Sequence, residues 1–451
     1  MSTRLRILLT ADQCNPEWSS LPGVAFRAAE ALSRVADVTL ATHIRNKPAL
    51  DKTGCGDAKI VYIDNEAVAR PMYRLGCLLR GGNAAGWTTH MAFMYPPYIA
   101  FERKIYKHFR KDLKQGKFDL VHRLTPMSPT LPSPLAKWSP VPFVIGPLNG
   151  GLRWPAGYFS QLSREREWAT YIRRACRFLP YYRSTFRKSA AVLAACDHTI
   201  ADLPKSAEPH TIAFPEVGID PAKFRLRDDT PATGDKPCVF VYVGRLVALK
   251  CVDVLIEAMA RSEELRKHKL WLIGDGPDRE KLEALSERLG VTDVVEFHGQ
   301  QPHERVGELL RSSDVFAFPS IRELGGGVVV EAMATGLPCM VVDYGGPGWL
   351  VREGRGVKLP LVHRDKLLDR CEQEMIALAN DPEKRRAFGA AGADYAHRLM
   401  SWDAKARKMV EIYEWVLGQR PERPEFEPTS PGVSTPEAAQ GDAVSHKAAV
   451  A

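Results

Sequence analysis

The segment RELGGGVVVEAMATGLP, residues 322–338, sets Glu323 and Glu331 on either side of Gly325, Gly326 and Gly327. It follows a strand-like DVFAFPS, and VVVEAMA reads as the first turns of a helix. Glycine backbones approach a ligand closely, and amides at a helix N-terminus point at an anion with the help of the helix dipole. Glu331, about one turn into that helix, would not bind phosphate but would accept hydrogen bonds from hydroxyls such as a ribose diol. Glu323 could grip a second polyol. A phosphate flanked by two sugars describes a nucleoside diphosphate sugar. The plainer alternative is a glycine loop for tight strand–helix packing, with Glu331 stabilising a helix N-terminus.

A second pair of candidates lies in VFVYVGRLVALK, where Arg245 and Lys250 leave a strand beside a helix start. Arg offers a planar fork of donors and Lys a mobile point charge, so together they could hold a diphosphate. Two solvated surface cations are the alternative.

These residues need strands ending at a common edge. RILLT, VTLAT, KIVYI, FDLVH and PFVIG read as buried strands, several separated by helix-like stretches such as GVAFRAAEALSRVA. That alternation predicts an α/β domain with a doubly wound parallel sheet over residues 1–203. Residues 204–237, rich in proline, charge and turn formers, read as a linker. The pattern then restarts at CVFVYVG and defines a second α/β domain over 238–399. Residues 363–417 read as consecutive helices, and 419–451 has the composition of a disordered tail. Two parallel-sheet domains imply a cleft, with ligands at the carboxyl ends of the strands.

VGRLVALKCVDVLIEA, LIGDGPDREKLEAL, FHGQQPHERVGELLRSSDVFAFPSIRE and ELGGGVVVEAMATGLPCMVVDYGGPGWLV together resemble the second domain of GT-B glycosyltransferases of retaining family 4, the group 1 enzymes. The resemblance runs over about residues 4–417 and implies two Rossmann-like domains facing across a cleft, with segment 400–418 returning to the first. It implies that Arg245 and Lys250 bind the donor diphosphate and that Glu323 holds hydroxyls of the transferred sugar. Gly326, Gly327 and Val328 would offer backbone amides, Glu331 would bind the ribose, and His298–Gln300 would lie near the base. It also implies an acceptor side in the first domain, where Gly23 matches a glycine-rich loop between donor and acceptor. His122, at a strand exit, would line the cleft near the donor sugar, although a lone histidine there is more often structural. Gly146, Asn149, Gly150 and Gly151 in VIGPLNGGLRWP match a further cleft loop. The chain departs from the family at Cys251, usually glycine, and at Leu324–Gly325, where the family often shows proline or glycine followed by phenylalanine.

The resemblance implies transfer of a hexosyl unit from a UDP- or GDP-sugar to a glycan or lipid-linked acceptor, with retention of configuration, in cell-surface polysaccharide or glycolipid synthesis. No Asp-x-Asp motif occurs, so no metal and no cofactor are expected. The rivals are a catalytically silent GT-B scaffold, a sugar-nucleotide epimerase or phosphorylase, and a dinucleotide-binding oxidoreductase. LIGDGPDRE superficially fits the last, but Arg279 fills the final glycine position of its fingerprint.

Net charge is uneven: residues 1–200 hold 29 Lys and Arg against 14 Asp and Glu, the remainder 33 against 40. The excess concentrates in residues 99–117 and 164–188, the latter interleaved with Trp168, Tyr171, Phe178, Tyr181 and Tyr182. Basic residues with aromatics suit an anionic membrane surface. Nucleic acid is not expected, and a solvated basic face over core aromatics is the alternative. The nine cysteines are scattered without any C-x-x-C, which favours reduced thiols. No apolar run reaches a membrane span. The expectation is a cytoplasmic protein, peripheral at the inner face of the membrane.

Overall fold

A computed structural model describes residues 4–18, 20–80, 87–155, 158, 175–227, 236–352 and 354–427. The first sheet contains β1 (Arg6–Ala11), β2 (Asp37–His43), β3 (Lys59–Ile63), β4 (Leu120–Thr125), β5 (Phe143–Leu148), β6 (Ala191–Ala194) and β7 (Thr211–Ala213). Every pairing is parallel and the order is β3-β2-β1-β4-β5-β6-β7. Strands covered on both faces read as continuous apolar runs, which is why ILLTA and FVIGPL are buried throughout.

The second sheet repeats this topology with β8 (Val239–Val243), β9 (Lys269–Ile273), β10 (Val295–Gly299), β11 (Val315–Phe318), β12 (Cys339–Val342) and β13 (Gly356–Leu359). Its order is β10-β9-β8-β11-β12-β13. In each sheet the strand order reverses after the first strand. The crevices lie outside the carboxyl ends of β1 and β4, and of β8 and β11.

Three short strands were not anticipated. β6 and β13 are four residues each, and neither AVLA, set in an alanine-rich run, nor GVKL, with its lysine, stands out as an apolar strand. β7 lies inside the proline-rich stretch read as a linker, so the first sheet extends to Ala213. The chain then crosses between domains beside a second crossing. Ile219 N–H donates to Met400 O (2.9 Å) and Trp402 N–H to Ile219 O (3.3 Å), while Gly218 packs against the Trp402 ring. Helix Trp402–Val416, capped by Ser401, runs back onto the first domain against helix Leu21–Val35. There Asp403 pairs with Arg34 at 2.6 Å.

The segment after Gly418 departs from the expected disorder as far as Glu427. Phe426 is buried against Phe214 (ring centroids 5.0 Å apart), and Glu427 pairs with Arg355. Proline and charge dominate its composition, yet beside these contacts Glu427 also lies 3.5 Å from Arg352, and Arg423 donates to Thr211 O. The rest of the tail and residues 164–174 of the second basic stretch lie outside the described residues.

Helix Trp87–Lys114 carries the first basic stretch. Phe101, Ile105, Phe109 and Leu113 face the core, and Arg103, Lys104, Lys107, Arg110, Lys111 and Lys114 face solvent. Among the described residues, no helix is long and apolar enough to cross a membrane.

Candidate functional site

Lys250 and Glu323 meet at the carboxyl edge of the second sheet. The loop after β8 ends in a helical turn, Ala248–Lys250, which brings Lys250 over the Phe318 ring, 4.6 Å from its centroid. Glu323 follows β11, and its carboxylate accepts from the Lys250 ammonium. Both side chains are largely buried, at 11% and 26% exposure, so the pair is poorly screened. Burial would raise the Glu323 pKa, but the Lys250 ammonium and the amides of Gly326 and Gly325 outweigh it and hold the carboxyl below its ordinary value. Glu323 thus sits where an anion would sit, on glycine amides and a buried cation.

The backbone here requires its glycines at specific points. Gly326 takes φ 73° as the residue before helix Gly327–Ala334. Gly327 and Val328 open that helix, where amides have no intrahelical partner. A Cβ on Gly325 would collide with Glu216 Oε1. Glu331 lies one turn inside the helix, partly buried. Burial pushes its carboxyl up to about 7, and Arg27 of helix Leu21–Val35 across the cleft opposes the rise. Gly23 stands one turn earlier on that helix, where a Cβ would lie 2.7 Å from Trp18 O. Arg245 is exposed at the β8 exit, with its carbonyl accepting from Tyr242 Oη (3.0 Å). The loops after β8, β9 and β10 stack closely. Gly244 N–H donates to Ile273 O (2.9 Å), and Gly274 N–H to Gly299 O (2.8 Å), next to His298.

Cys251 occupies the left-handed region at φ 50°, ψ 40°. That explains why glycine suits this position and why a small side chain survives there.

Two further acidic and amide groups, read only as linker and loop from the sequence, belong to the same cluster. Glu216, in the crossing segment, accepts from Asn149 Nδ2 of the loop after β5. Burial and the neighbouring Glu323 charge push its carboxyl up to about 7, against Lys405 and Asn149. Lys405 reaches in from helix Trp402–Val416, donates to Pro215 O and lies 4.2 Å from the Phe214 centroid; burial pulls its ammonium down to about 7, against the pull of Glu216. A glutamate amid proline and turn residues gives no periodic signal, and its contacts with Asn149 and Gly325 mark it.

His122 is a correction. It is fully buried rather than cleft-lining: Nδ1 is 2.6 Å from Tyr413 Oη and Nε2 is 2.7 Å from Gly146 O. Burial pulls its pKa down to about 4, against the Gly146 carbonyl. It holds the returning helix to the first sheet, and both ring nitrogens are occupied in doing so. Of the loop matched to a cleft, Asn149 faces the site. Gly151 packs against Asp202 and His198, where a Cβ would lie 2.8 Å from Asp202 Cβ.

Residues 225–395 match the family model of glycosyl transferases group 1. The second domain is a group 1 glycosyl transferase domain. Curated proteins similar to this chain include the D-inositol 3-phosphate glycosyltransferases of Segniliparus rotundus (31% identical, 47% of this chain and 49% of that protein) and Streptomyces griseus (33%, 41% and 40%). The chain spans about half the length of the curated relatives it matches. Among solved structures, sucrose-phosphate synthase from Thermosynechococcus elongatus has a TM-score of 0.60 at 19% identity, covering 92% of this chain and 100% of that one. Anabaena HepE in complex with UDP has a TM-score of 0.59 at 17% identity, covering 91% and 100%. These neighbours share the GT-B fold, two Rossmann-like domains, around the glycosyl transferase domain.

Proposed function

We propose that this chain is a glycosyltransferase that moves a sugar from a UDP- or GDP-linked donor to a glycan or lipid-linked acceptor, with retention of configuration and without a metal. The observation that carries the reading is the Lys250–Glu323 pair lying on the amides of Gly325 and Gly326. A donor diphosphate would take Lys250 and Arg245 together with the amides of Gly327 and Val328, releasing Glu323 toward the hydroxyls of the transferred sugar. Charge developing on the leaving diphosphate is then met by preorganised donors in a poorly solvated site. Glu331 would take the ribose diol. The group 1 match and the UDP complex of a neighbour of the same fold support a nucleotide-sugar donor. The curated relatives are named for D-inositol 3-phosphate, a polyol like the glycan or lipid-linked acceptor class proposed for this chain.

The basic face of helix Trp87–Lys114 is our proposed contact with an anionic membrane surface at the cytoplasmic side, each cation contributing about 1 kcal/mol near the lipid. Thermal-shift screening tests the donor assignment: UDP- or GDP-sugars should raise Tm and NAD should not. A shift with NAD alone would point instead to a dinucleotide enzyme.

A further inference from the structure

Beyond helix Trp402–Val416, the short segment that ends at Glu427 is fastened to both domains. Arg423 donates to Thr211 O at the start of β7, in the first sheet. The Glu427 carboxylate pairs with Arg355 and lies 3.5 Å from Arg352, both just before β13 of the second sheet. Between these two anchors Phe426 is buried. Its ring centroid is 5.0 Å from that of Phe214, beside the crossing, and 6.4 Å from that of Trp349, in the second domain.

Two lines of contact lead from this segment to the Glu323–Gly326 loop. The first runs through Lys405, whose buried ammonium lies 4.2 Å from the Phe214 centroid and 5.1 Å from the Phe426 centroid. Two aromatic faces hold a desolvated cation well. Lys405 donates to Pro215 O, and the next residue, Glu216, fills the space beside Gly325. The second line runs through Arg355, which donates to Leu350 O (3.3 Å) at the end of helix Gly345–Leu350. That helix begins against the loop. Gly346 N–H donates to Glu323 O (3.1 Å), and a Cβ on Gly346 would lie 2.3 Å from Leu324 O. Phe426 therefore backs the loop through the crossing segment, and Glu427 backs it through this helix. Close-packed interiors pass such support along because they leave little slack.

We propose that residues 423–427 form a strap that positions the Glu323–Gly326 loop, with Phe426 and Glu427 as its positioning residues. Each acts through the elements that hold the loop. This rests on the glycosyltransferase reading above, in which the loop presents Glu323 to the donor. A shift of an ångström in such a group, caused from a distance, can cost about a hundredfold in rate.

Two measurements on the full chain test it, both made well below the melting point of every variant so that all molecules are folded. The first is hydrogen–deuterium exchange in peptides covering residues 322–335. Phe426→Ala empties the buried anchor, and Glu427→Gln keeps the shape while removing the charge. Each should speed exchange there several-fold, and Phe426→Leu, which keeps an apolar body, should retain most of the protection. The second is hydrolysis of the best UDP- or GDP-sugar, where Phe426→Ala and Glu427→Gln should each lower kcat about tenfold and Phe426→Leu much less. A segment that only adds stability would lower Tm and leave both readouts at wild type. That result overturns the proposal, as does faster exchange with an unchanged kcat. If the wild type hydrolyses no nucleotide sugar, the glycosyltransferase reading fails and the exchange measurement alone decides the strap. Turnover by the wild type with unmoved exchange in the variants removes the strap and leaves that reading.

Discussion

Gly325 and Glu216 are packed so closely that no side chain fits between them: a Cβ on the glycine would overlap the glutamate's Oε1. Glu216 comes from the crossing segment and Gly325 from the loop after β11, so the contact ties the crossing segment to the second domain at the site. The glycine at 325, where the resembled family often has phenylalanine, thus has a structural partner. The space is filled by a carboxyl held by Asn149.

Gly325→Ala should lower kcat/KM for the donor by about tenfold or more, because the loop must shift to admit the methyl, and small displacements of positioned groups are costly. Combining it with Glu216→Gly should recover much of that loss. Steady-state kinetics of the single and double variants check the coupling, and strictly additive effects would contradict it.

On the proposed ribose contact, Glu331 makes donor binding depend on pH. Its folded pKa is raised to about 7, so it is largely protonated at pH 6 and ionised at pH 8. A ribose diol donates to the ionised form. Donor KM should therefore fall by up to about tenfold between pH 6 and 8, and Glu331→Gln should flatten the profile.

His122 works on stability instead. Its folded pKa of about 4 lies below the ordinary histidine value. The unfolded chain binds the proton first, so stability is complete above the unfolded pKa and is lost as pH falls from about 6.5 toward 4. Between pH 6.5 and 5 the loss should be about 1.5 kcal/mol from this residue. Denaturant titration of His122→Gln should lack that component, and its rate of transfer at pH 7.5 should be near wild type.

Phe426→Ala should destabilise the protein by about 3 kcal/mol, the usual cost of emptying a buried aromatic position. Thermal or urea unfolding checks it. An unchanged midpoint would mean that the Phe214–Phe426 contact carries no weight.

Much of the fold was legible because buried parallel strands are written as unbroken apolar runs: RILLT, KIVYI and VFVYV each became a strand at nearly the expected bounds. β7 was not, because three residues set between prolines carry no pattern. At the site, Glu323, Lys250 and the glycines were visible through type and spacing. Glu216 was not, and Asn149 was visible only as part of a cleft loop, since their partnership spans 67 residues and depends on how two domains cross. His122 was visible but misleading. A strand exit places a histidine near a cleft, and only the returning helix with Tyr413 shows that this one is sealed in.

On the proposed function, Lys250 and Glu323 form the core of a nucleotide-sugar donor site. A panel of UDP- and GDP-sugars incubated with the protein, with release of the nucleoside diphosphate read by mass spectrometry, tests it most directly. At least one donor should be hydrolysed slowly by the wild type, and Lys250→Ala and Glu323→Ala should each reduce that rate about 10²–10³-fold. No hydrolysis of any donor, or full activity in both variants, would contradict the assignment.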